Sequence, residues 1–84
     1  MHVEQLKFDN NGILITNMET LLFLASKLCS KKGISSVVTS TEVTPPNKIL
    51  INLRGGYSKL FEVKNNMIYE DSVYCISVGD LLDC

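Results

Sequence analysis

The chain has 84 residues, with 8 Lys and Arg against 9 Asp and Glu, a formal charge of −1. That length holds one domain, residues 1–84, with room for a single core. The near-balance of charge argues against a dedicated nucleic-acid binder, whose affinity comes mostly from neutralised phosphates.

In chain order, residues 3–8 form a loose strand pattern that meets Asp9-Asn10-Asn11-Gly12. The Asn-Gly pair tolerates the positive φ angles a hairpin turn demands. Residues 13–16, Ile-Leu-Ile-Thr, then read as the returning strand.

Asn17 is placed to cap a helix, its side-chain oxygen accepting an amide of the first turn. The helix is predicted over Met18–Lys32. Lys31 and Lys32 suit the negative end of its dipole, and Gly33 supplies the left-handed residue that stops it. At 100° per residue, Met18, Leu21, Leu22, Leu24, Ala25, Leu28 and Cys29 share one apolar stripe. Glu19, Thr20, Ser26, Lys27, Ser30 and Lys31 fall opposite.

Phe23 falls on the polar side, among Glu19, Ser26, Lys27 and Ser30. A neighbouring segment covers it, or it is a contact residue, since aromatics are enriched at interface hot spots. Phe23, Lys27 and Ser30 are therefore the candidate protein-binding patch.

After Ile34 the pattern turns to strands. Residues 35–44 are rich in Val, Ser and Thr and end at Pro45-Pro46-Asn47. Such a strand suits a solvated position or a sheet edge able to pair with another chain. Residues 48–54 alternate cleanly, with Ile49, Ile51 and Leu53 on one face. Residues 57–63 alternate again, setting Tyr57, Lys59, Phe61 and Val63 opposite Ser58, Leu60 and Glu62.

Between those two runs lies Arg54-Gly55-Gly56. Arg-Gly-Gly occurs in RNA-binding tails, but those need repeats and disorder, and neither is present. A phosphate cradle needs a helix after its glycines, so that amides and dipole converge on the anion. Here a strand follows, so the glycines are read as a hairpin turn.

Asn65-Asn66 is a two-residue turn into residues 67–70, and Asp71-Ser72 interrupts or bulges the pattern before residues 73–78. Residues 79–83 suffice for a helical turn or a tail. The fold class expected is α+β: two layers, with a mostly antiparallel sheet of five or six strands. The one helix, 18–32, packs on one face, in the order β-β-α-β-β-β-β. Remaining apolar residues are expected on the other face, against a partner or a second copy.

Catalytic groups are sparse. The single histidine, His2, would have to serve any Ser–His or Cys–His pair. Three cysteines, Cys29, Cys75 and Cys84, show no ligand spacing, so neither a metal nor a cofactor is expected. They are read as reduced thiols, although Cys84, the final residue, could cross-link two chains on oxidation. Glu70-Asp71 is the one adjacent acidic pair, and in a regular strand the two side chains point to opposite faces. No catalytic residue is assigned, and no enzyme is expected.

No charged segment precedes an apolar stretch at the start, and the longest apolar run, residues 21–25, falls far short of the roughly 20 residues that span a membrane. A soluble, cytoplasmic protein is expected.

With 45% hydrophobic and only 20% charged residues, a chain this short hides some apolar surface against something else. The reading that follows is a non-enzymatic protein-interaction module: an adaptor, subunit or inhibitor, binding another protein or a second copy. The small uncatalytic chain is of the type that phages and mobile elements use to block host proteins, though no motif carries that likeness. The alternative is a nucleic-acid binder using Lys48, Arg54, Tyr57 and Lys59, where basic and aromatic residues interleave on the strands. A small-molecule carrier is a third class, but no polar groups converge to define a ligand.

Overall fold

The helix forms where its stop and start signals stand. In the computed structural model, which describes residues 6–83, α1 runs Met18–Lys32. The Thr20 amide donates to Asn17 Oδ1 at 2.9 Å, closing the first turn. Gly33 takes φ 68°, and its amide donates to the Ser30 carbonyl at 3.1 Å.

A short 3-10 turn, Ser35–Val37, leads into five strands. These are β1 Val38–Thr44, β2 Lys48–Leu53, β3 Tyr57–Lys64, β4 Met67–Glu70 and β5 Val73–Ser77. All pair antiparallel in the order β1-β2-β3-β4-β5, a meander with β1 and β5 at the edges. A second helix, α2 Val78–Leu82, closes the described chain, capped by Ser77, whose Oγ accepts from the Asp80 amide at 3.0 Å.

The architecture is thus α+β with a five-stranded antiparallel sheet, in the order α-β-β-β-β-β-α. Three expectations need correction. The two N-terminal strands are replaced by a hairpin with one isolated bridge, Phe8 to Leu14, outside the sheet. Its turn is held locally: Asp9 Oδ1 accepts the amides of Asn11 and Ile13 at 2.8 and 3.0 Å. The Leu14 amide spends its donor on the side chain of Asn66 rather than on a strand. Part of the expected strand, like His2 and Cys84, lies outside the described residues.

Second, residues 67–77 are two strands, because Asp71 and Ser72 take φ 51° and 72° and reverse the chain. Left-handed φ at two successive residues makes a two-residue hairpin, as it does at Asn65 and Asn66 with φ 50° and 65°. Asp-Ser is a weaker signal than Asn-Gly, which is why the pattern read as an interruption. Third, the tail takes the helical turn that residues 79–83 allowed, which adds a second helix to the one expected.

The Gly55-Gly56 turn has the conformation its residues imply. Both glycines have positive φ, 91° and 84°, and Leu53 pairs with Tyr57 across it. The Pro45-Pro46 bond in the β1–β2 connection is cis.

Alternation sorts the sheet into two faces. On one, Ile49, Ile51, Phe61 and Ile68 are fully buried and Val63 nearly so. They join Leu14, Leu21, Leu24, Leu28, Val78 and Leu81 in one core. At about 25 cal/mol per Å² of apolar surface removed from water, this layer supplies the main folding force. No helix among the described residues is long and apolar enough to cross a membrane.

The buried arc of α1 is rotated from the expected stripe. Thr20 is buried, Phe23 and Lys27 are half-buried, and Met18 and Leu22 are exposed by 50% and 46%. α1 contacts α2 as well as β1 and β2, so the covered arc answers to two sets of neighbours.

Candidate functional site

Among the described residues, no helix covers the second face of the sheet. Alternation and register place Glu42 of β1, Lys48, Leu50 and Asn52 of β2, and Ser58, Leu60, Glu62 and Lys64 of β3 on it. Met67 and Tyr69 of β4 and Tyr74 of β5 continue it. None of these side chains is buried. Leu60 is 42% exposed and Tyr74 52%, while Leu50 and Tyr69 are half-buried by their own neighbours.

The register brings these groups into rows. Across β2 and β3, Lys48 stands opposite Glu62, Leu50 opposite Leu60, and Asn52 opposite Ser58. Across β4 and β5, Tyr69 stands opposite Tyr74, their rings edge to face with centroids 6.0 Å apart. Lys64 Nζ lies 5.9 Å from the Tyr69 ring centre and 3.6 Å from Glu62 Oε1. Asn52 Nδ2 donates to Ser40 Oγ at 3.0 Å and to Glu42 Oε2 at 2.9 Å, fixing the β1 flank. The result is an apolar and aromatic strip across the strands, interleaved with balanced charges.

A bulge on β5 shapes its far end. Ile68 pairs with Ile76 and Tyr69 with Tyr74, leaving Cys75 as the extra, half-buried residue. A matching irregularity on β1 leaves Thr39 between Val38 and Ser40, which adds twist to that edge strand.

A polar cluster sits on the helix side. Glu70 Oε1 meets Lys32 Nζ at 2.8 Å, and Glu70 Oε2 accepts from Lys59 Nζ at 3.0 Å. One carboxylate thereby ties the C-terminal end of α1 to β3 and β4. The Lys32 hydrogen bond holds Glu70 below the usual carboxylate range, against the opposing effect of desolvation. The same bond raises Lys32 above its ordinary value. Burial pushes the Cys29 thiol up, so it is a packing group with little thiolate.

The residues of the helix patch are placed unevenly: Phe23 is half-buried and packed against the core, Lys27 is half-buried, and Ser30 is exposed. The four residues of the nucleic-acid set are dispersed. Lys48 is on the open face, whereas Tyr57 and Lys59 belong to the helix side by register. Tyr57 is 72% exposed, Lys59 is held by Glu70, and Arg54 Nη2 donates to the Ser36 carbonyl at 3.1 Å. Phe61, on the same face as Tyr57 and Lys59, is buried in the core.

An open groove of about 280 Å³ runs between α1 and β1, lined by Leu22, Ala25, Ser26, Cys29, Val38 and Thr41. Among the described residues, no three His, Cys, Asp or Glu side chains gather as metal ligands. The sequence reading placed remaining apolar residues on the open face without naming them, since alternation sorts residues within a strand but does not pair them between strands. Its legible signs were Leu50 opposite Ile49 and Ile51 in β2, and Leu60 opposite Phe61 in β3.

Compared with protein-family models, with curated proteins and with solved structures, the chain matches none.

Proposed function

We propose that the protein is a small non-enzymatic interaction module, an adaptor, subunit or inhibitor acting by surface complementarity through the open face of its sheet. The observation that carries this reading is the strip of Leu50, Leu60, Met67, Tyr69 and Tyr74, which nothing in the described chain covers. Exposed apolar side chains gathered into one patch and rimmed by charge are the usual mark of a contact surface. The aromatic groups at its β4–β5 end supply large contact area at low entropy cost. A cytoplasmic setting accords with two free thiols, Cys29 and Cys75.

The test is recovery of the tagged protein from lysate of its source, with and without nuclease, beside Leu60→Lys and with folding checked by circular dichroism. The reading expects a stoichiometric protein, or a second copy, that survives nuclease and is lost with Leu60→Lys. Binding that vanishes on nuclease treatment would replace it with the nucleic-acid reading. Binding indifferent to Leu60→Lys would move the contact to another surface.

A further inference from the structure

We propose that the occupant of the open face is a second copy of this chain, in a two-fold dimer with sheet packed on sheet. This rests on the interaction reading above and names its partner. The structural basis is the pairing of β2 with β3, which sets Lys48 opposite Glu62, Leu50 opposite Leu60 and Asn52 opposite Ser58.

Consider a two-fold axis in the interface, running along the strands midway between β2 and β3. It lays each β2 side chain over the β3 side chain that its own register partner matches. Leu50 then meets Leu60 of the partner subunit, and the reciprocal contact gathers four leucines at the centre. Lys48 meets Glu62 of the partner subunit, twice, once on each side of the axis. Asn52 meets Ser58 of the partner subunit. The face is therefore complementary to itself in both charge and apolarity, as a two-fold contact requires.

The geometry suits packed sheets, whose strand directions stay within about 30° at a separation of about 10 Å. β4 lies over β1 of the partner subunit, so the Tyr69 ring covers the small side chain of Thr44 of the partner subunit. Glu42 and Asp71 fall at the rim, where water and salt screen like charges. A stable interface needs about 800 Å² from each partner, and the chain presents 5227 Å² of accessible surface in all. The open face extends over all five strands of the sheet. Leucines and tyrosines supply the affinity, and the two ion pairs set the register and exclude other alignments.

The test is sedimentation velocity on wild type, Lys48→Glu, Glu62→Lys, and an equimolar mixture of the two variants. Wild type sediments as a dimer. Each single variant brings like charges together twice and weakens the dimer at least about tenfold. The mixture recovers it, because opposite charges then meet on both sides of the axis. Mixing leaves repulsion within each chain unchanged, so recovery reports contact between chains rather than folding. Wild type that stays monomeric up to about 1 mM overturns the proposal and leaves the module reading intact for a different protein partner. A wild-type dimer indifferent to both charge changes, or variants not rescued by mixing, also overturns it.

Discussion

Leu14 and Asn66 stand 52 positions apart, yet the Leu14 amide donates to Asn66 Oδ1 at 2.7 Å. Asn66 answers with its own donor, Nδ2 to the Gly12 carbonyl at 2.7 Å, and its backbone carbonyl accepts the Val78 amide at 2.8 Å. One turn residue between β3 and β4 therefore pins both the N-terminal hairpin and the start of α2 over the core. It does so from a left-handed conformation, φ 65°, which asparagine tolerates better than most residues.

Asn66→Gly keeps that conformation and deletes both side-chain hydrogen bonds. It leaves the partly buried Leu14 amide unpaired, at a cost of about 1–3 kcal/mol. For a domain of this size each kcal/mol lowers the melting temperature by about 4–8 °C. Asn65→Gly, at the neighbouring turn position with φ 50°, is expected to change little. Thermal denaturation of the two variants checks the contrast, and hydrogen exchange at Leu14 should speed up only in Asn66→Gly. Equal melting temperatures would show that the clamp contributes nothing.

Glu70 makes stability depend on pH. Its folded-state pKa is lowered, so its contribution is complete above the ordinary glutamate value of about 4.3 and is lost as pH falls through the folded value. Lys32 has the opposite sign: its raised pKa stabilises below the ordinary lysine value of about 10.4 and the effect is lost as pH rises through the folded value. Glu70→Gln is expected to cost about 0.5–1 kcal/mol at neutral pH, since the cluster is partly exposed and screened. Urea melts of both proteins at pH 7 and pH 2 should show a difference that closes at the acidic end. A gap of the same size at pH 2 would refute the assignment.

Phe23 and Leu22 are neighbours with reversed roles. Phe23 packs against the core while Leu22 is 46% exposed. Phe23→Ser should cost about 1–3 kcal/mol and lower the melting temperature by several degrees, as expected for partial loss of a buried ring. Leu22→Ser should stay within about 0.5–1 kcal/mol. Calorimetry beside a sedimentation run separates the alternatives. Association lost in Phe23→Ser with melting unchanged would instead make Phe23, Lys27 and Ser30 the contact surface.

Much of the fold was legible in particular residues. Asn17 and Gly33 bound α1 because capping and a left-handed stop act within one turn of chain. Ile49, Ile51, Phe61 and Val63 announced the buried face of β2 and β3 because side chains alternate along a strand. Gly55-Gly56 and Asn65-Asn66 announced their turns because left-handed φ favours those residue types.

Tertiary structure alone decided which flank of α1 is covered, and the physical reason is distance along the chain. A helical wheel orders side chains around an axis, but the angle at which that axis is laid depends on every element packed against it. Here α1 packs against β1, β2 and α2, with Thr20 buried, Phe23 half-buried, and Met18 and Leu22 outside. The same holds for Asp71-Ser72, where two non-glycine residues take left-handed φ so that Tyr74 can pair with Tyr69. It holds again for Leu50 against Leu60 and Lys48 against Glu62. Periodicity assigned each a side of its strand, and the register between strands, set by turn length and core packing, made them neighbours.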